Sequence, residues 1–167
     1  MLHNSALIQP ERVRDLNDTA ERGDGRYVLY WMQQAQRVDT NHALGLAIQL
    51  ANARGLPVVV GFGLMDDYPE ANRRHYAFML EGLAEVAAGL RDRRIRFVLR
   101  HGEPPRVALA LAKAAAILIC DRGYLRHQVA WRRAVAEAAG CRVVQVESDV
   151  VVPVEAVTDK AEHAART

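Results

Sequence analysis

Tyr27–Leu44 reads YVLYWMQQAQRVDTNHAL. The run YVLYW has the apolar character of a buried strand. Beyond it the period changes. Ala43, Leu44, Ala47, Leu50 and Ala51 recur at helical spacing, Asp39 or Thr40 offers an N-cap, and Gly55 a stop. A strand feeding a helix opens a β–α–β unit. In many nucleotide-binding versions this junction is glycine-rich, so that a phosphate can approach the backbone amides. Here it is filled with Trp31, Met32 and Arg37. Such a junction is unfriendly to phosphate, and its bulk asks for another explanation.

The same alternation continues down the chain. PVVVGFGL reads as a second strand covered on both faces, and the loop MDDYP leads into the longest helix, with Pro69 suited to its first turn. Met79, Leu83, Val86 and Leu90 mark that helix's buried face. IRFVLR, a turn at Gly102, a helix opened by Pro104 and Pro105, the strand AILIC, a helix ending at Gly140 and the strand RVVQVE complete the pattern. Five strands alternating with four helices call for right-handed crossovers. The expectation is an α/β fold: a Rossmann-like, doubly wound five-stranded parallel sheet in the order 3-2-1-4-5, with helices on both faces. Residues 1–25 form a polar N-terminal arm in which PERVRDL is the one candidate for a helical turn.

The chain has 167 residues, enough for one domain, and 22 Lys+Arg against 20 Asp+Glu leave a net charge of +2. That balance lacks the basic stripe of a self-sufficient nucleic-acid binder, so weak or no DNA binding is expected of it. No apolar run reaches the length of a membrane span and no signal-peptide pattern opens the chain, which points to the cytoplasm and to no membrane partner. Cys120 and Cys141 fall about a strand length apart on neighbouring strands, too far for a disulfide.

Motif chemistry is sparse. There is no G-x-G-x-x-G after the first strand and no P-loop, and the two serines, Ser5 and Ser148, lie outside any nucleophile elbow. The six histidines include no H-x-x-x-H pair, and no metal site or catalytic residue is expected. A universal-stress-type ATP site would need a glycine-spaced loop after the fourth strand, where CDRGYLRH offers one glycine. In doubly wound sheets ligands sit outside the carboxyl ends of the strands. That rule selects 31–37, 62–67, 101–103 and 121–126 as the mouth. Each residue there also has a local reading: Trp31 as core, Arg37 as partner to Asp39 or to an acid on another domain, Glu103 as a first-turn charge, Asp121 as the cap of a turn.

Taken in order, YVLYWMQQAQRVDTNHAL, RHYAFMLEGL, FVLRHGEPP, DRGYLR and VVQVESDVVVPVE are similar to the photolyase/cryptochrome family. The first contains the pattern W-x-x-x-x-x-R-x-x-x-N-x-A-L, and the set most resembles class II cyclobutane-pyrimidine-dimer photolyases. The similarity runs from about Pro10 to the last residue. Gln34 and Ala35 depart from an Arg-Asp pair common in that class, and His42 from a Trp.

The resemblance implies an N-terminal α/β domain over residues 26–157 that houses an antenna chromophore, either 8-hydroxy-5-deazaflavin or a folate. Residues 158–167 would begin a linker to a helical domain that binds FAD. That domain and UV-damaged DNA would be the partners of the whole enzyme, a deoxyribodipyrimidine photo-lyase, with the fragment itself inactive. A stand-alone nucleotide-binding or light-sensory module of the same fold is the alternative. A planar pigment held by stacking accounts for the bulky junction. The implied cleft is lined by Trp31, Met32, Leu64, Gly102, Glu103 and Asp121, with Arg37 at its rim. Gly102 would admit a ring close to the backbone, and Glu103 or Asp121 would accept a hydrogen bond from the pigment.

Overall fold

Residues 8–157 are described by a computed structural model, so residues 1–7 of the expected arm and the expected linker at 158–167 lie outside the described residues. A turn of 3-10 helix at Pro10–Arg12 leads into β1 (Val13–Asp15), followed by β2 (Tyr27–Trp31), α1 (His42–Arg54), β3 (Val58–Leu64) and α2 (Arg73–Asp92). Then come β4 (Arg96–His101), α3 (Pro104–Ala112), β5 (Ala115–Asp121), α4 (Arg126–Ala138), β6 (Arg142–Val146) and a short α5 (Val154–Val157). Among the described residues no helix is long and apolar enough to cross a membrane.

The period of two along each strand divides the buried side chains between two cores. Val28, Tyr30 and Met32, with Ile117, Ile119 and Val60, face α1 and α2, which supply Ala43, Leu44, Ala47, Leu83, Val86 and Leu90. Leu29, Trp31, Leu118 and Cys120 face the other way, onto Val107, Leu111 and Val135 of α3 and α4. Helices therefore cover both faces of the sheet, and continuous apolar runs such as AAILICD are buried throughout.

The sheet has six strands in the order β1-β6-β5-β2-β3-β4, which corrects the five-stranded expectation. The pairs β2–β3, β2–β5, β3–β4 and β5–β6 are parallel, whereas β1 runs antiparallel to β6. Three residues, Val-Arg-Asp, carry no readable period, and an edge strand open to solvent has no need of an apolar face. A different signal holds β1 in place. The guanidinium of the preceding residue, Arg12, is buried and donates to the carbonyls of Glu147, Val150 and Val151.

Two helix starts also differ from expectation. The N-cap of α1 is Asn41, whose Oδ1 accepts from the Leu44 N–H at 2.9 Å, and neither Asp39 nor Thr40 caps it. The N-cap of α2 is Asn72, in a capping box with His75, so Pro69 lies in the loop before the helix.

The glycines of PVVVGFGL have a packing reason. A Cβ on Gly61 would lie 2.6 Å from Leu111 Cδ1, and one on Gly63 would lie 2.6 Å from Pro104 Cα. Helix α3 thus sits directly on the backbone of β3. Because the obstacle at Gly63 is backbone, Gly63→Ala is expected to destabilise the fold by about 1–3 kcal/mol, read as a lower urea midpoint. A midpoint equal to wild type would show that α3 shifts freely on the sheet.

Candidate functional site

At the carboxyl edge of the sheet the β2–α1 loop takes its shape from one buried side chain. Asp121, the last residue of β5, is 1% exposed. Its Oδ2 accepts from the backbone N–H groups of Gln33, Gln34 and Ala35 at 2.8, 2.9 and 3.1 Å. Its Oδ1 accepts from the Tyr30 hydroxyl at 2.8 Å. Burial raises the carboxyl's pKa, and these donors offset part of that rise. Three successive amides converging on one anionic oxygen are what a phosphate-binding turn would offer its ligand. Here an internal carboxylate fills the nest, so the junction needs no glycine and has no place for phosphate.

The rest of the loop is tied from below and behind. Asn41 Nδ2 donates to Tyr30 Oη, Ala35 O and Arg37 O. Arg37 pairs with Asp149 at 2.7 Å and donates to Ser148 O, while Asp39, its expected local partner, pairs with Arg93. Ser148 Oγ in turn accepts from the Ala43 N–H. Glu147, buried beside them, takes Arg122 at 3.1 Å and the Tyr124 hydroxyl, and burial and that bond push the phenol up to about 12. The residues of W-x-x-x-x-x-R-x-x-x-N-x-A-L and of DRGYLR are therefore largely the carpentry of this edge.

Above the loop lies a cleft of about 650 Å³, within the usual range for small-molecule sites. One wall is Met32–Gln34 and Gln36, and the floor is Phe62–Met65 at the end of β3. Tyr68, Tyr76, Phe78 and Met79 rise on the far side, with Gln128 and Trp131 of α4 closing the end. Phe78 is 80% exposed, an unusual position for a phenyl ring. Tyr68, His127 and Trp131 stack edge to face, with centroids 4.9 to 6.0 Å apart. Gln128 Nε2 donates to Gln34 Oε1 at 2.9 Å and to Tyr68 Oη at 3.2 Å. Among the described residues no Lys, Arg, Asp or Glu lines the cleft, and His75 is its one titratable nitrogen base.

Of the residues expected at the mouth, Met32 and Leu64 line this cleft. Trp31 is buried in the core under α3 and α4. Arg37 lies in the ion pair with Asp149, and Asp121 is enclosed by its four donors. Gly102 donates its N–H to Leu64 O at 2.7 Å, and Glu103 pairs with Arg106 at 3.1 Å. None of these five lines the cleft. Gln33 lies within the expected mouth segment 31–37 without having been singled out, and Tyr68, Phe78, Gln128 and Trp131 lie outside every expected segment. The readable signal was Phe78, an aromatic adjacent to the apolar stripe of α2.

Comparison with known proteins agrees with this architecture. The family model described as DNA photolyase matches residues 28–167. A deoxyribodipyrimidine photo-lyase of Methanothermobacter thermautotrophicus is 47% identical over 96% of the chain and 36% of its own length. One of Potorous tridactylus is 36% identical over 94% of the chain and 30% of its own length. The chain thus spans about a third of the length of these curated relatives. Among solved structures, a functionally unknown protein from Pseudomonas aeruginosa aligns with a TM-score of 0.51 at 16% identity, over 80% of this chain and 51% of that one, a likeness of fold alone. Of the three departures noted in the sequence, Gln34 and Ala35 fall inside the cleft loop, where Gln34 bonds Gln128 and Ala35 is fully buried, and His42 opens α1. With the pattern matched from Val28 to the last residue and the motif residues assembling one edge of the sheet, the chain belongs to the DNA photolyase family.

Proposed function

We propose that this chain is the N-terminal, antenna-holding domain of a class II deoxyribodipyrimidine photo-lyase, and that the cleft beside the β2–α1 loop takes the pigment. The observation that carries this reading is the lining: aromatic and thioether side chains, several amides, one histidine (His75) and, among the described residues, no Lys, Arg, Asp or Glu. A planar, largely neutral heterocycle suits such walls. Between the two pigments considered, 8-hydroxy-5-deazaflavin is favoured, since a folate's glutamate tail would find no Lys or Arg among the lining residues. The bound pigment would supply blue-light absorption.

The chain's own residues hold it. Tyr68, Phe78 and Trp131 contact its faces and edges, Met32 and Leu64 fill the gaps, and Asp121, Arg37, Trp31, Gly102 and Glu103 fix the loops from which those walls rise. Splitting of pyrimidine dimers in UV-damaged DNA belongs to the whole protein, with FAD in a helical partner domain. Ion pairs such as Arg54–Glu21, Arg133–Glu137 and Arg142–Asp15 occupy surface cations here, which supports weak DNA binding by this portion.

The test is titration of the chain with 8-hydroxy-5-deazaflavin and, separately, with 5,10-methenyltetrahydrofolate, following tryptophan fluorescence. Trp131 lines the cleft, so deazaflavin should quench its emission saturably, and Trp131→Phe should remove most of that quenching. Tyr68→Ala and Phe78→Ala should each raise Kd about tenfold, the loss of one good ring contact. Tighter folate binding, or deazaflavin binding indifferent to both substitutions, would overturn the assignment.

A further inference from the structure

Gln33 lies in the cleft wall with both polar atoms of its side chain, Oε1 and Nε2, buried and without a hydrogen-bond partner. Buried polar atoms are ordinarily paired, so an entire carboxamide left unmet asks for an explanation. The other amides of the wall are engaged. Gln34 and Gln128 bond each other, Gln128 also reaches Tyr68, and Gln36 Nε2 donates to Gln33 O at 3.2 Å. Trp31 Nε1 and His127 Nε2 also lack partners, but neither residue lines the cleft.

The backbone of Gln33 cannot easily turn to find a partner. Its N–H is held by Asp121 Oδ2 at 2.8 Å and its carbonyl by the Gln36 side chain. The carboxamide is thus presented from a fixed backbone, among apolar neighbours, with a donor and an acceptor side by side. Such a pair is matched by a ring that carries an acceptor and a donor on adjacent atoms, as glutamine matches an adenine edge. The complement of a carboxamide on a planar, uncharged heterocycle is a lactam: a ring C=O next to a ring N–H.

We infer that Gln33 is the specificity-determining residue of the cleft and that it reads the lactam edge of a planar heterocyclic ligand through two parallel hydrogen bonds. The inference rests on the pigment reading above and adds which edge of the pigment enters first. Stacking walls alone accept any ring of the right size. A buried carboxamide rejects rings that cannot answer both of its atoms, because those atoms then stay unpaired.

The experiment compares 8-hydroxy-5-deazaflavin with its N3-methyl derivative, in which the lactam N–H is gone and the ring system kept. Affinities are measured by fluorescence on the whole chain and on Gln33→Leu and Gln33→Met, with circular dichroism to confirm folding. Wild type is expected to prefer the parent over the methylated ring by on the order of 10- to 100-fold. Both variants should bind the two rings about equally, which a merely structural role for Gln33 would not produce. Equal binding of both rings by wild type, or a preference that survives in Gln33→Leu and Gln33→Met, overturns the inference and leaves the cleft as the pigment site. Failure of wild type to bind either ring overturns the pigment reading, and this inference with it.

Discussion

Asp121→Ala should remove roughly 4 kcal/mol or more of stability, the consequence of leaving three backbone N–H groups without their acceptor and the Tyr30 hydroxyl with only its longer bond to Ala35 O at 3.4 Å. The four donors come from Gln33, Gln34, Ala35 and Tyr30, between 86 and 91 residues away in sequence. Each unmet buried donor costs about 1–3 kcal/mol, and water reaching the partly exposed amides at 33 and 34 recovers some of it. A domain of this size has about 5–15 kcal/mol in total, so the variant should sit close to unfolding. Urea denaturation gives the magnitude, and hydrogen exchange locates it, with protection lost first at 33–35 and the start of α1. Asp121→Asn keeps the shape and one acceptor oxygen and turns its NH2 toward the Tyr30 oxygen, so it should be less than half as damaging. An alanine variant within about 1 kcal/mol of wild type would mean that the loop finds its shape without the carboxylate.

That network shows where sequence reading reaches and where it stops. The period along the strands is local, and it located β2 to β6 and the helices between them. The rule that ligands gather at the carboxyl ends of parallel strands is topological, and of the residues it selects Met32 and Leu64 line the cleft. Partners across the sheet are another matter. Arg37 needed an acid, and Asp39 stood two residues away, yet the ion pair is with Asp149, 112 residues on, while Asp39 serves Arg93. Nothing in the spacing of a lone Arg and two candidate acids decides between them.

The cleft walls were hidden for a related reason. Tyr68 lies in a loop, Phe78 on the outward side of α2 and Trp131 one turn into α4, positions that a pattern of buried faces assigns to surface or core. They come to line one cleft only when the loop after β3, α2 and α4 meet at the carboxyl edge of the sheet. The resemblance supplied motifs, and the structure gives their physical content. Trp31, Asn41, Ala43, Leu44 and Asp121 are buried framework, so the family pattern runs through this edge of the sheet without naming the residues that line the cleft.

Asn41→Asp sets two physical rules against each other. As a helix N-cap, aspartate is as good as asparagine, and its charge favours the positive end of the α1 dipole by about 0.3–1 kcal/mol. The cap bond itself, Oδ1 to the Leu44 N–H, would survive. The other side of the side chain decides the outcome. Nδ2 faces Ala35 O at 3.0 Å, Arg37 O at 2.9 Å and Tyr30 Oη at 3.0 Å. The phenol's own proton is already given to Asp121. A carboxylate oxygen placed there meets two carbonyl oxygens and a hydroxyl with no proton to offer, in a site only 8% exposed. Two carbonyls lose their donor and a charge is buried unpaired, so the variant should be destabilised by roughly 3 kcal/mol at neutral pH in spite of the better cap charge. The pH dependence fixes the cause. The fold disfavours the charged form of residue 41, so its folded pKa would lie above the unfolded value of about 3.9. The folded variant then holds its proton to higher pH than the unfolded chain. Stability relative to wild type should therefore recover as pH falls through the folded pKa towards the unfolded one, where a protonated carboxyl can again donate to one carbonyl. Urea midpoints of Asn41→Asp and wild type, measured side by side from pH 8 down to pH 4, test both parts. A variant as stable as wild type at pH 7 would show that the cap outweighs the network, and a deficit that does not shrink on acidification would assign the loss to packing and not to charge.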